Sequence, residues 1–290
     1  MPNHSANNSS ASLVLSITLL LVAIMSVYVG ATLAKQLFPL IGAQGAVALR
    51  LGLGALILCA LMRPWRARLA WSNARWLLAY GVSIGGMNLM FYMAIQYIPL
   101  GIGVALEFLG PLGLALLYSR RLLDLLWVAL AATGVWMLMP HTDAAALEIK
   151  GILLALGAGF CWALYIVFGQ KSGAQNGQHT VTLGMLVGAL MVLPVGLHSA
   201  GTDLFALSIL PIALGMAVLS AALPFSLEMY AMTRMPTRTF SILMSLEPVF
   251  GALIGLLLLH EVLSLTQWLA IATIVAASSG AAATARGSMH

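Results

Sequence analysis

The chain has 290 residues, of which 7% are charged and 61% apolar, with a mean hydropathy of +1.01. Soluble domains run near ~25% charged and ~45–50% apolar, and a soluble body of this size could not keep so much hydrocarbon off its surface. A soluble enzyme, a secreted scaffold and a disordered chain are excluded; the solvent around most of the chain is lipid.

A helix needs about 20 mostly apolar residues to cross the hydrocarbon core. After a polar tail at 1–12, ten such stretches follow: 13–34, 43–62, 76–98, 101–118, 123–140, 151–170, 179–198, 208–230, 239–259 and 264–284. The tail carries no Lys or Arg, so it lacks the charged n-region of a signal peptide, and the first apolar run is long enough to remain a span. The connections are short and carry turn residues, as in Arg63-Pro64-Trp65, Pro99-Leu100-Gly101, Ser119-Arg120-Arg121, Pro140-His141-Thr142-Asp143 and Gly173-Ala174-Gln175-Asn176-Gly177. The expected fold is an all-α membrane protein of ten transmembrane helices with no soluble domain. Cys59 and Cys161 both lie inside apolar runs, which does not suggest a disulfide framework.

A net charge of +5 and a pI near 9.5 could point to nucleic acid, but Lys and Arg fall in short clusters between apolar runs. That pattern marks cytoplasmic flanks of spans. With the N-terminus inside, Arg63, Arg66, Arg68, Arg75, Arg120, Arg121, Lys171, Arg234, Arg238 and Arg286 lie on the inner side. Lys35 and Lys150 lie outside, so both termini are expected in the cytoplasm.

The chain also resembles itself. A shift of 140 residues places Ala105-Leu106-Glu107 over Ser245-Leu246-Glu247, and Ser119-Arg120-Arg121-Leu122 over Leu259-His260-Glu261-Val262. Nearby offsets align Tyr92–Pro99 with Met229–Pro236 and Gly54-Ala55-Leu56 with Gly188-Ala189-Leu190. The order of these matches indicates a duplicated five-helix unit, 13–140 and 151–285, ahead of a short tail at 286–290. An odd number of passes turns the second unit upside down relative to the first. Two inverted units can exchange conformations, which is the physical basis of alternating access around a site near mid-bilayer.

Several strings resemble a known family. Gly85-Gly86-Met87-Asn88, Pro99–Phe108, Gly110-Pro111-Leu112, Leu223–Met229, Pro236–Phe240 and Met244–Pro248 look like the EamA-domain branch of the drug/metabolite transporter superfamily. Within it they are most similar to bacterial exporters of threonine and homoserine. The resemblance covers nearly the whole chain and implies a secondary transporter, not an enzyme, that exports small amino acids across the bacterial inner membrane. Export of aromatic amino acids or of cationic drugs and metabolites is the alternative within the same fold. The Asn-rich amino end and the tail Arg286–His290 depart from the pattern, outside the expected pathway.

Charged side chains deep in hydrocarbon cost on the order of 2.5–3.5 kcal/mol and mark cavities or partners. The deep set is Arg50, Glu107, Glu228 and Glu247. The six histidines fall in tails or near span ends, so an intramembrane metal or hydrolase site is not expected. Glu107 precedes Gly110-Pro111, and Pro111 has no N–H to bond the Glu107 carbonyl. A carboxylate beside a loosened carbonyl can cradle an ammonium group, or it can simply be satisfied by a neighbouring Tyr or Ser. Glu247, followed by Pro248, is its counterpart in the repeat. Arg50 can fork onto a substrate carboxylate, snorkel outward or neutralise Glu107. Asn88, with Tyr92 one turn along, can bond the cargo or join helices. Tyr28, Trp162, Tyr165 and Glu228 are candidate cavity walls, though Glu228 reads best as a partner of Arg234 or Arg238. The pairs Gly184/Gly188 and Gly251/Gly255 read as helix seams.

An amino acid is a zwitterion, so its carrier needs an acidic and a basic element a few ångströms apart. Glu107 with Arg50 and Asn88 can provide them, the N-termini of helices interrupted at Pro111, Pro224 and Pro248 being alternatives to the arginine. No G-x-x-x-x-G-K-[ST] string occurs, so this chain does not hydrolyse ATP through a P-loop. Glu107 and Glu247 are the candidates for coupling export to protons. No cofactor, metal, nucleic acid or obligate protein partner is expected; the expected partners are an amino acid, protons and the bilayer.

Overall fold

The computed structural model describes residues 4–66, 74–117, 122–138, 148–176, 179–232, 234–235 and 237–284. Among the described residues every regular element is helical. In chain order they are α1 (His4–Met62), α2 (Ala74–Ala94), α3 (Leu100–Glu107), α4 (Leu109–Leu117), α5 (Leu122–Leu138) and α6 (Ile149–Asn176). There follow α7 (His179–Ala200), α8 (Leu210–Ala217), α9 (Leu223–Met232), α10 (Thr237–Met244), α11 (Glu247–Leu259) and α12 (Leu265–Thr284). Six stretches are long and apolar enough to cross a membrane, and three shorter apolar helices accompany them. The chain is a multi-pass membrane protein. The basic residues Arg68, Arg120, Arg121 and Arg286 and the Pro140–Asp143 connection lie outside the described residues.

α1 cannot be one rod. Its apolar part, Val14–Met62, is 49 residues long, about 74 Å if straight, against a hydrocarbon core of about 30 Å. Gly42 breaks it, with φ 68° and ψ 171°, a conformation that an L side chain resists. Contacts at Ser220 show that the chain folds back there. A Cβ on Gly30 would lie 2.7 Å from the Ser220 Cβ, and Arg50 hydrogen-bonds the same serine. Along a straight helix those two residues would stand about 30 Å apart.

Other interruptions sit just ahead of prolines. α3 gives way to α4 at Phe108, with Pro111 in the first turn of α4. α10 ends at Met244, and α11 begins at Glu247 with Pro248 beside it. Between α8 and α9 one π-helical turn, Val218–Ala222, precedes Pro224. Each proline tolerates the first turn of a helix, where its missing N–H is not needed, and leaves a free carbonyl four residues back.

α2 packs between α6 and α7, α1 lies along α7, α8 and α9, and α5 pairs with α12. Small residues let these backbones approach. Gly184 and Gly188 of α7 form a seam with α2: a Cβ on Gly188 would lie 3.0 Å from the Gly81 carbonyl oxygen. Gly251 faces α3, where a Cβ would lie 3.1 Å from Val104 Cγ2, while Gly255 faces the Glu261 carboxylate. The tightest approach joins α4 to α6, since a Cβ on Gly110 would fall 1.8 Å from the Gly159 carbonyl oxygen.

Candidate functional site

The site is organised by a proline. Pro224 has no N–H to offer the carbonyl of Ser220, and the chain relaxes into the π turn Val218–Ala222. Two carbonyls of that turn find partners on α1. Ser26 Oγ donates to the Leu219 carbonyl at 2.7 Å, and Arg50 Nη2 donates to the Ser220 carbonyl at 3.1 Å. Arg50 also donates through Nε to Ser220 Oγ at 2.9 Å and through Nη1 to Asn88 Oδ1. Ser220 Oγ in turn donates to the Met216 carbonyl at 2.6 Å, and Asn88 Nδ2 to the Ile84 carbonyl at 2.8 Å. Both acceptors of the guanidinium are thus fixed by bonds to their own helices. A half-buried arginine is tolerated because its donors are matched.

Tyr92 completes this arrangement. It is 1% exposed, and the Arg50 guanidinium carbon lies 5.3 Å from the centre of its ring. Its hydroxyl is buried beside Ser220 without a hydrogen bond of good geometry. A donor left in that state costs on the order of 1–3 kcal/mol until a partner arrives. Against these groups lies a cavity of about 90 Å³, lined by Arg50, Asn88, Ser220, Tyr165, Met87 and Met185. A water takes up about 30 Å³ in the liquid, so the space holds about three waters and must widen to admit cargo.

The carboxylates adjoin this cavity without lining it. Glu107, 8% exposed, ends α3, and both Glu247 and Arg50 act on it electrostatically. Its carbonyl, freed by Pro111, faces α6 rather than the cavity: a Cβ on Gly159 would lie 2.5 Å from that oxygen. Glu247 opens α11, where the helix dipole favours a negative charge, and accepts the Tyr28 hydroxyl at 2.6 Å. Glu107, Glu228 and Glu247 all lie within electrostatic reach of Tyr28, and Glu247 alone is bonded to it.

The structure therefore gathers the sequence candidates into two adjoining groups, Arg50, Asn88, Tyr92 and Tyr165 on one side and Tyr28, Glu107, Glu228 and Glu247 on the other. Tyr165 stacks on Tyr80 at 4.9 Å, and Trp162 meets Phe108, next to Glu107, edge-on at 5.3 Å. The expected pairing of Glu228 with Arg234 is not formed among the described residues, because the Arg234 guanidinium lies over the Tyr230 ring at 3.7 Å. The Arg238 side chain lies outside the described residues. The alternative in which Arg50 directly pairs with Glu107 is likewise not formed; its donors go to Asn88 and Ser220. Ser220 is the site residue that sequence reasoning missed. The signal was present, since it stands four residues before Pro224 just as Glu107 stands four before Pro111. Among the described residues no group of three His, Cys, Asp or Glu side chains could hold a metal ion.

A bundle of apolar helices around a small polar cavity, with one arginine and three carboxylates set deep beside it, has the build of a membrane transporter. The chain belongs to the EamA-like transporter family, whose pattern residues 149–281 match. It is 53% identical over 273 residues to the threonine/homoserine exporter RhtA of Escherichia coli K12, covering 94% of this chain and 92% of that protein. The exporter of the same name from Salmonella typhimurium LT2 is also 53% identical over the same shares. The uncharacterized transporter YwfM of Bacillus subtilis is 24% identical, covering 80% of this chain and 81% of its own. A solved crystal structure superposes with a TM-score of 0.59 at 17% identity, covering 94% of this chain and 96% of the other, a likeness of fold.

Proposed function

We propose that this protein is a secondary exporter of small amino acids, threonine and homoserine foremost, in the bacterial inner membrane. The observation that carries the substrate class is 53% identity along 94% of the chain to exporters of that name. The cavity supplies a chemistry for it. The cargo carboxylate competes with Asn88 and Ser220 for the Arg50 fork, the Tyr92 hydroxyl gains a partner, and the ammonium turns toward Glu107 and Glu247.

The breaks described above support ten passes, if Gly42 divides α1 and the pairs α3/α4, α8/α9 and α10/α11 each cross once. Two inverted units, 13–140 and 151–285, and cytoplasmic termini complete the reading. The family match at 149–281 supports the second boundary, and the parallel placement of Glu107 and Glu247 beside helix breaks supports the duplication. Export against a gradient is coupled to protons that enter as cargo leaves, at Glu107 and Glu247, with Tyr28 as the bridge to Glu247.

Purified protein in liposomes, tested by counterflow across a panel of radiolabelled amino acids, checks the substrate class. Threonine and homoserine should exchange in preference to aromatic amino acids and to cationic dyes. Exchange of dye alone would replace this reading with the cationic one. Glu107→Gln and Glu247→Gln should abolish export driven by a pH gradient; export that persists in both variants removes the proton step.

A further inference from the structure

A second cavity, of about 480 Å³, opens where α1, the α2–α3 connection and the α11–α12 connection meet. On the orientation proposed above this is the outer face. Its polar groups include Lys35 and Glu261, which form an ion pair, and Phe38, Tyr97 and Pro99 contribute apolar walls. We propose that this mouth is a second amino-acid binding site, an exit station that holds the zwitterion by dividing the Lys35–Glu261 pair. The proposal rests on the exporter reading and adds a site to it.

The chemistry of the pair is that of the cargo itself, an ammonium and a carboxylate in contact. Each half can be taken over: cargo ammonium replaces Lys35 at Glu261, and Lys35 turns to the cargo carboxylate. The two partners differ in freedom as such an exchange requires. Glu261 is fixed. Its Oε2 accepts the Leu100 N–H at 2.7 Å, its own N–H donates to the Gly255 carbonyl at 3.1 Å, and it follows His260 in a left-handed turn at φ 55°. Lys35 sits on a flexible four-carbon stem and can swing. Their side chains are 19% and 15% exposed, reached by water from the mouth yet sheltered enough that the pair parts only when a new charge pair replaces it.

The mouth also leads somewhere. Phe38, on its wall, lies 6.2 Å from the ring of Tyr92, which rests against Arg50. Phe38 and Tyr92 thus connect the wall of the outer cavity to the arginine that lines the inner one. Lys35 belongs to the first proposed unit and Glu261 to the second, and Glu261 also caps the start of α3. Dividing the ion pair releases one of the links between the units at the face where cargo must leave.

The test is the sidedness of the half-saturation constant. Full-length protein is reconstituted in one orientation, and threonine exchange is measured with the concentration varied first outside, then inside. Lys35→Met and Glu261→Gln should each raise the external half-saturation concentration about ten-fold, the worth of one charge-assisted bond, and leave the internal value within about two-fold. Lys35→Arg should restore the external value, and Glu261→Gln keeps an oxygen for the Leu100 N–H, so loss of fold is not built into the variants. Equal changes on both faces, or a lower maximal rate with both constants unchanged, would overturn the exit site and leave the pair a structural link. A wild-type protein that exchanges no threonine would instead overturn the exporter reading.

Discussion

Replacing Arg50 by lysine keeps the charge and removes the fork, and so isolates what the geometry contributes. Arg50 donates to Ser220 Oγ at 2.9 Å, to the Ser220 carbonyl at 3.1 Å and to Asn88 Oδ1. A lysine ammonium, shorter and without the planar spread, cannot reach both faces of this set. At least one charge-assisted bond is lost, on the order of 1.5–3 kcal/mol, and the Ser220 carbonyl, already denied a helix donor by Pro224, is left bare at a similar cost. A loss of about 2 kcal/mol or more follows, equivalent to roughly thirty-fold in an equilibrium constant. It should be read in two assays on detergent-purified protein and proteoliposomes: a lower thermal midpoint and threonine exchange reduced at least ten-fold. Pro224→Ala is the companion variant. By returning an N–H to the Ser220 carbonyl, it should preserve the midpoint while slackening Arg50 and slowing exchange. Full stability together with full exchange in Arg50→Lys would refute the assignment of Arg50 as organiser of the cavity.

The other expectations are simpler. Gly110→Ala should lower the thermal midpoint and the yield of folded protein severely, by several kcal/mol, because its Cβ would meet the Gly159 carbonyl oxygen at 1.8 Å. Gly52→Ala is the contrasting control: nothing lies within 4 Å of a Cβ there, so the change should be neutral or stabilise by about 0.5–1 kcal/mol in the same melt. Tyr28→Phe removes the 2.6 Å bond to Glu247 at a cost of about 1.5–3 kcal/mol and should alter the pH profile of gradient-driven export more than counterflow at fixed pH.

Much of this arrangement was legible in the chain because lipid leaves so few choices. With 7% charged residues, each deep one stands out, and Arg50, Glu107, Glu228 and Glu247 could be named from hydropathy alone. The helix breaks were legible at Pro111, Pro224 and Pro248, since proline always strands a carbonyl four residues back. Where that carbonyl goes is set by tertiary packing. Ser220 meets Arg50 from 170 positions away, whereas the Glu107 carbonyl turns to Gly159. The sharp turn in α1 was harder to see. Residues 35–42 fall between the first two expected spans, yet the helix runs on through Pro39 and the chain breaks only at the end of that interval, at Gly42. The Arg234 contact with Tyr230 was invisible for a similar reason: a nearby carboxylate in sequence says nothing about which face of α9 it occupies.

The central claim, that a zwitterion is held between Arg50 and the deep carboxylates, is tested most directly by calorimetric titration. Wild-type protein is titrated with L-threonine, with its methyl ester, which lacks the negative charge, and with N-acetyl-threonine, which lacks the positive one. Threonine should bind, both blocked analogues should bind at least ten-fold more weakly, and Arg50→Lys should lose most of the difference between threonine and the ester. Equal binding of threonine and the ester by wild type would mean that the arginine does not recognise the carboxylate, and would contradict the account.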